Sequence, residues 1–371
     1  MYTLADHAGM LADGIRIDAY AAALRHAVRA DSIVADLGAG IGTFALLAAR
    51  FGARRVYAIE PEDTIHLGRA VAAASGLADR IDFIQARSTD VVLPERPTII
   101  VSDMRGTLPQ FERHITAIAD ARRRLLAEGG VLIPRRDRLW AAIVDAPEVY
   151  ADHVTPWRDC THGLALEPAE QMLANTWSRI RLAPALCLSD SQCLATLDYH
   201  ELADPDLDID SVWDARRAGT GHGLCVWFDS ELIDGIGFSN APEQPGAVHG
   251  QAFFPFATPV TLSEGESISV RLQANLVGDD YMWRWTSLGR TQSTFYGVPL
   301  AAAQLSRRTA DHVPVLGTDG EIDLFVLGRM QESMPLGDIA RELLVRFPSA
   351  VRDWNAALGR TGEVSGKYSK G

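Results

Sequence analysis

Three glycines, Gly38, Gly40 and Gly42, stand in the run Val34-Ala-Asp-Leu-Gly-Ala-Gly-Ile-Gly-Thr43, after a β-rich stretch and ahead of a helical one. Glycine at these positions lets backbone amides approach a ligand, and the helix N-terminus behind them offers unpaired N–H groups to an anion. Tight strand-to-helix turns also use glycine for steric reasons alone. Glu60 narrows the choice: it lies about 20 residues on, at the end of the next strand, where a carboxylate can accept from both hydroxyls of a ribose. Asp36 adds an acidic group just before the glycines. A dinucleotide fold would show G-x-G-x-x-G, whereas here the third glycine comes one residue early.

These residues need a scaffold, and the chain's periodicity supplies one. Residues 1–30 read as a helical cap with Leu11, Ile15, Ala19 and Leu24 near one stripe and Tyr20 and His26 beside it. From 31 to 134 short β-rich runs alternate with helical ones, the pattern of a parallel sheet covered by helices. Strands are expected at Ile33–Asp36, Arg55–Ile59, Ile81–Ala86, Thr98–Ser102 and Val131–Pro134, with helices at Phe44–Ala53, Ile65–Ser75 and Phe111–Leu126. Residues 135–295 change to alternating segments such as Leu139–Asp145, Leu194–Tyr199, Leu224–Leu232, Gln251–Phe256 and Ile268–Val277, which predict an antiparallel barrel or sandwich. Val149–Ala185 does not alternate and reads as a helical excursion. Residues 296–371 form a third region: Ile322–Leu327 is a strand or buried helix, Pro335–Arg346 an amphipathic helix with Leu336, Ile339, Ala340 and Leu343 as its stripe, and the tail from Thr361 is frayed.

The 371 residues are 47% hydrophobic and 22% charged, an ordinary globular composition, and the length predicts two or three domains. A formal charge of −13 argues against binding through nucleic-acid phosphates and suits a cationic or neutral substrate. No apolar run reaches the roughly 18 residues of a membrane span, and the first residues lack a signal-peptide pattern, so the expected location is cytoplasmic. Cys160, Cys187, Cys193 and Cys225 match no zinc or redox spacing and are expected to be buried and inert.

The glycine loop with Asp36 and Glu60 resembles the signature of class I S-adenosylmethionine methyltransferases. That resemblance implies a Rossmann-like domain in which the loop packs on the cofactor's methionine moiety and Glu60 holds its ribose. Within the class, roughly residues 7–290 are similar to the protein arginine methyltransferases. Met10-Leu-Ala-Asp-Gly-Ile-Arg-Ile-Asp-Ala-Tyr20 resembles their cofactor-covering helix, which assigns Arg16 to the cofactor carboxylate and His7 to a contact with it. In Ile84-Gln-Ala-Arg-Ser-Thr-Asp-Val-Val-Leu-Pro94, the resemblance places Ser88 and Thr89 at the adenine, with Thr89 where the family usually has glutamate.

For the acceptor, the family carries two glutamates on the loop after the fourth strand, and here they are Asp103 and Glu112 in Ser102-Asp-Met-Arg-Gly-Thr-Leu-Pro-Gln-Phe-Glu112. Two carboxylates can bind guanidinium hydrogens, hold the plane for attack and localise electron density on the reacting nitrogen, with no metal. Aspartate withdraws one carboxylate by about 1.5 Å, one C–C bond, and Arg105 puts a cation where the family has an apolar residue. Ala247-Val-His-Gly-Gln251 falls at the family's Thr-His-Trp loop, making His249 the candidate to bond an active-site carboxylate and help remove the proton. Gly250 in place of tryptophan is expected to widen or reshape the acceptor pocket.

The family pattern also implies a homodimer through a helical arm, here Leu164–Trp177, and a protein, peptide or small-molecule acceptor. Residues around Gly317–Leu324 and Leu336–Pro348 faintly resemble small winged-helix modules that bind peptides by an added strand, with a packing appendage as the other reading. Three functions stay open: arginine N-methylation, methylation of another nitrogen or oxygen on the same fold, and cofactor binding without catalysis.

Overall fold

A computed structural model describes residues 3–154, 162–244, 248–299, 306–307 and 309–369. Cys160 and Ala247 lie outside the described residues. Two helices come first, α1 (Leu4–Ala12) and α2 (Gly14–Ala27), followed by β1 (Ile33–Leu37), α3 (Thr43–Arg50), β2 (Arg55–Ile59), α4 (Ile65–Ala74), β3 (Ile81–Ile84), β4 (Ile99–Ser102), α5 (His114–Arg124) and β5 (Val131–Ile133). The five strands form one parallel sheet in the order β3-β2-β1-β4-β5. Strand order reverses between β1 and β4, where such sheets open a crevice at their carboxyl ends. Leu37 pairs with Ser102, so the glycine loop and the acid loop leave the sheet side by side.

The antiparallel part begins with β6 (Arg136–Val144), then α6 (Pro147–Val154), α7 (Glu167–Leu173), β7 (Ser178–Ile180), β8 (Gln192–Asp198), β9 (Leu207–Asp214), β10 (Gly219–Ile233), β11 (Ile236–Ser239), β12 (Gln251–Leu262), β13 (Ser267–Val277), β14 (Asp280–Ser287) and β15 (Arg290–Ser293). One sheet runs β7-β12-β10-β6-β8 with β11 on β10, and the other β15-β14-β13-β9. Among the described residues the strands form these two sheets, which share a core containing Leu139, Trp213, Phe254, Leu272 and Trp285. Gly219–Ile233 is long because one end pairs with β12 and the other with β11, while β6 runs beside it.

That far end carries the antiparallel part onto the parallel sheet. Phe228, Leu232, Ile233 and Phe238 share a core with Tyr20, Ala23 and Leu24 of α2 and Phe44 of α3. Each leucine, isoleucine and phenylalanine among them contributes roughly 1.5–3 kcal/mol by burial. The expected stripe of the first helices is thereby corrected: Leu11 and Ile15 are exposed, and the buried face of α2 is Arg16, Tyr20, Ala23 and Leu24, because that face meets the acid loop and β11.

Residues 300–371 form a separate compact unit. Its described elements are α8 (Thr318–Gln331), α9 (Leu336–Arg346) and α10 (Trp354–Tyr368), packed around Ile322, Val326, Ile339, Leu343, Ala357 and Val364. The strand alternative for Ile322–Leu327 and the frayed tail are both corrected: the first is helix, and the tail continues α10, whose Val364 is buried. No strand occurs among this unit's described residues. Cys193, expected buried, is exposed, because it lies on the edge strand β8, while Cys225 is buried in β10.

Candidate active site

At the end of β1 the chain turns sharply, with Gly38, Gly40 and Gly42 all at positive φ (65°, 54° and 79°), where a side chain is strained. The loop is pinned from β2: Ala39 N–H donates to Ile59 O, and Glu60 Oε2 accepts from Gly40 N–H at 2.8 Å while Oε1 accepts from Glu62 N–H. Asp36 sits beneath the loop, and its Oδ2 accepts from Ala45 N–H in the first turn of α3 at 2.9 Å. Burial, reinforced by Glu60 and Asp103, pushes the Asp36 carboxyl up to about 7.

Helix α1 closes over this cradle: a Cβ on Gly40 would lie 3.1 Å from the His7 ring. From the other side, a Cβ on Gly38 would meet the Met104 side chain at 2.5 Å. The acid loop therefore packs directly on the glycine loop. Ser88 and Thr89 lie in a short turn after β3, where Ser88 O accepts from Arg124 and the exposed Thr89 hydroxyl donates to Asp90.

Asp103 follows β4, and its side chain is 5% exposed. Oδ2 accepts from Arg16 Nη1, and Oδ1 accepts from Arg105 Nε at 3.2 Å and Nη2 at 2.9 Å. Burial would raise this carboxyl, but the Arg105 and then Arg16 guanidiniums hold it below the usual range, so it is ionised. Arg16 also donates to Met10 O and lies near Asp13, while its buried Nε has no hydrogen-bond partner. Arg16 thus uses two of its five N–H groups in hydrogen bonds, and its Nε faces Asp13 Oδ2 at 3.9 Å.

Sequence reasoning missed the partners of Arg105. Asp137 of β6 and Ser230 of β10 are cross-strand partners, and both accept from Arg105 Nη1, at 2.8 and 2.5 Å. Arg105 Nη2 donates to the Tyr20 hydroxyl, which donates to Ser102 O. The other Asp137 oxygen accepts from the Tyr199 hydroxyl at 2.7 Å. Because that hydroxyl is donating, His114 Nε2, 3.1 Å away, carries the hydrogen it shares with Tyr199. Nothing in Arg136-Asp-Arg138 distinguishes Asp137 from a solvent-facing charge; only the β6–β10 register brings it inward.

Glu112, the expected partner of Asp103, is exposed, has φ of 42° and makes no hydrogen bond among the described residues. Two residues earlier Gln110 is buried with both amide atoms unpartnered. His249 lies in the loop before β12, with its ring 5.5 Å from Phe228 and stacked on Phe238 at 6.1 Å. Burial brings its imidazole down to about 4, so it is neutral near pH 7, and its Nε2 has no partner. The backbone beside it is tied to the cofactor-covering helix by Val248 N–H donating to Asp13 Oδ2 at 2.8 Å. Gly250 has φ of 60° and a Cβ there would lie 2.6 Å from Ile180 O, so the backbone of β7 fills the space that a side chain would take.

Residues 136–286 match the family described as the arginine methyltransferase oligomerization subdomain. Human protein arginine N-methyltransferase 2 is 31% identical over 300 residues, covering 76% of this chain and 69% of that protein. Protein arginine N-methyltransferase 1 of Schizosaccharomyces pombe is 29% identical over 276 residues, 71% of this chain and 79% of that one. Among solved structures, a Trypanosoma brucei enzyme–prozyme heterotetramer with AdoHcy superposes with TM-score 0.72 at 19% identity, over 77% of this chain and 97% of that one. Arabidopsis thaliana protein arginine methyltransferase 10 gives 0.68 at 21%, over 79% and 98%.

Proposed function

The chain belongs to the protein arginine methyltransferase family, and from that premise we propose that it moves the methyl group of S-adenosylmethionine to a guanidino nitrogen of protein arginine. The observation that carries this reading is the contact of the two loops: Met104, next to Asp103, packs on Gly38 of the cofactor cradle, so donor and acceptor groups share one crevice. The residues present fit the cofactor. The glycine turn is crowded for side chains, Glu60 offers a carboxylate at the ribose position, and Arg16 keeps N–H groups that no hydrogen bond within the protein uses.

When bound, the cofactor supplies a sulfonium methyl, which a guanidino nitrogen takes with its lone pair while the C–S electrons return to sulfur. The chain's own residues do the rest. Arg16 and Glu60 fix the donor side, Glu112 is the exposed carboxylate that can receive the acceptor's N–H groups, and neutral His249, with a free Nε2, can accept the released proton. Positioning and electrostatics dominate such a displacement. The oligomerization-subdomain match supports action as a homodimer through Leu164–Trp177, of which α7 is the helical part.

The test combines binding with transfer. Wild type is expected to bind S-adenosylhomocysteine in calorimetry and to label an arginine-rich protein from labelled cofactor. Gly40→Val, which drives a side chain toward His7, is expected to lose both. Wild-type binding retained by Gly40→Val, or no transfer to any arginine-containing protein, would remove this reading.

A further inference from the structure

We propose that Arg105 is a specificity-determining residue: its guanidinium occupies the Asp103 carboxylate from within the protein, so that a cationic acceptor is held by Glu112 without help from Asp103. This rests on the assignment of residues 103–112 as the acceptor loop.

A carboxylate offers about four lone-pair positions. Three at Asp103 are taken, two by Arg105 and one by Arg16, and the group is almost closed to solvent. Nor can Arg105 swing aside. Its side chain is 0% exposed, Asp137 and Ser230 hold Nη1, Tyr20 accepts from Nη2, and the rings of Phe228 and Phe238 lie 5.3 and 5.2 Å from it. An acceptor guanidinium would therefore compete with an intramolecular one that pays no association entropy.

Charge points the same way. Arg105 spans Asp103 and Asp137, and Arg16 spans Asp103 and Asp13, so each carboxylate of this buried cluster already faces a cation of the protein. Glu112 differs in every respect: exposed, without a hydrogen bond among the described residues, and on backbone that non-glycine residues seldom adopt. The buried, unpartnered amide of Gln110 beside it supplies a neutral contact. A paired-acid site has thus become a single-acid one, and the polarity of Arg105 sets the change.

Removing Arg105 alone would strand Asp137, so the test pairs Arg105→Met with Asp137→Ala. The readout is the affinity of an arginine-containing peptide, by calorimetry in excess S-adenosylhomocysteine. A charge-assisted contact regained at Asp103 is expected to tighten peptide binding about tenfold or more. In the otherwise wild-type chain, Asp103→Asn, which removes no contact to the acceptor, is expected to weaken peptide affinity less than Glu112→Gln, which weakens it about tenfold. A folded double variant that binds no tighter, or an Asp103→Asn variant as weak as Glu112→Gln, would overturn the proposal. Should circular dichroism show the double variant unfolded, the comparison of the two single variants decides. Failure of the wild type to methylate or bind any arginine peptide refutes the proposed function. Peptide binding gained by the double variant would even then uphold the role of Arg105, and its absence would overturn it.

Discussion

His249 is a histidine kept uncharged by where it sits, among Phe228 and Phe238, with its imidazole brought down to about 4. In the unfolded chain the same group takes a proton below about 6.5. Between those values the unfolded state binds more protons, so acidification from about pH 6.5 to about 4 destabilises the fold through this residue. Asp36, with its carboxyl near 7, acts with the opposite sign, because the folded state keeps a proton that the unfolded one has lost. Thermal unfolding across pH 4–6.5 should show wild type losing stability relative to His249→Gln as pH falls; parallel curves would mean that His249 is not held neutral. At this scale the sequence was informative where chemistry sits on a spacing, as at Gly38, Gly40, Gly42 and Glu60. It was silent on Asp137, Ser230 and Tyr199, whose relation to Arg105 exists only through strand register and side-chain packing.

Asp13 shows how one residue fixes an element to its function. It is the N-cap of α2, accepting from Arg16 N–H at 3.2 Å, and its other oxygen accepts from Val248 N–H beside His249. A cap of this kind is worth about 0.5–2 kcal/mol, and the half-buried Val248 contact adds to it. Asp13→Ala is expected to lower unfolding free energy in denaturant titration by about 2 kcal/mol; a change within about 0.5 kcal/mol, the usual span for unconnected surface sites, would contradict the dual role. Periodicity located all five parallel strands to within two residues, since their apolar runs are bounded by glycine and charge. It passed over Asp280–Ser287 and also Leu207–Asp214, where Ser211 and the exposed Val212 break the apolar–polar alternation, and it leaves Ile322–Leu327 open because a short apolar run fits a buried strand and a buried helix equally.

For the whole molecule, topology does the assembling. Reversal of strand order between β1 and β4 places the glycine loop beside the acid loop, and the long strand β10 brings Ser230, Phe228 and, through its neighbours, His249 over both. All candidate site residues belong to the unit before residue 300, and the unit after it has a core of its own. Among the described residues no helix is long and apolar enough to cross a membrane. The order of helix, parallel sheet and antiparallel unit was legible from the change in periodicity near Pro134. The pairing of the later strands into two sheets was not, because register depends on contacts far apart in sequence. The most direct test of the account is tandem mass spectrometry of an arginine-rich protein after incubation with wild type or Glu112→Gln and S-adenosylmethionine. A methyl group on a guanidino nitrogen, reduced at least about tenfold by Glu112→Gln, is the expected result. Methyl found only on another side chain, or equal arginine methylation by the two proteins, would contradict it.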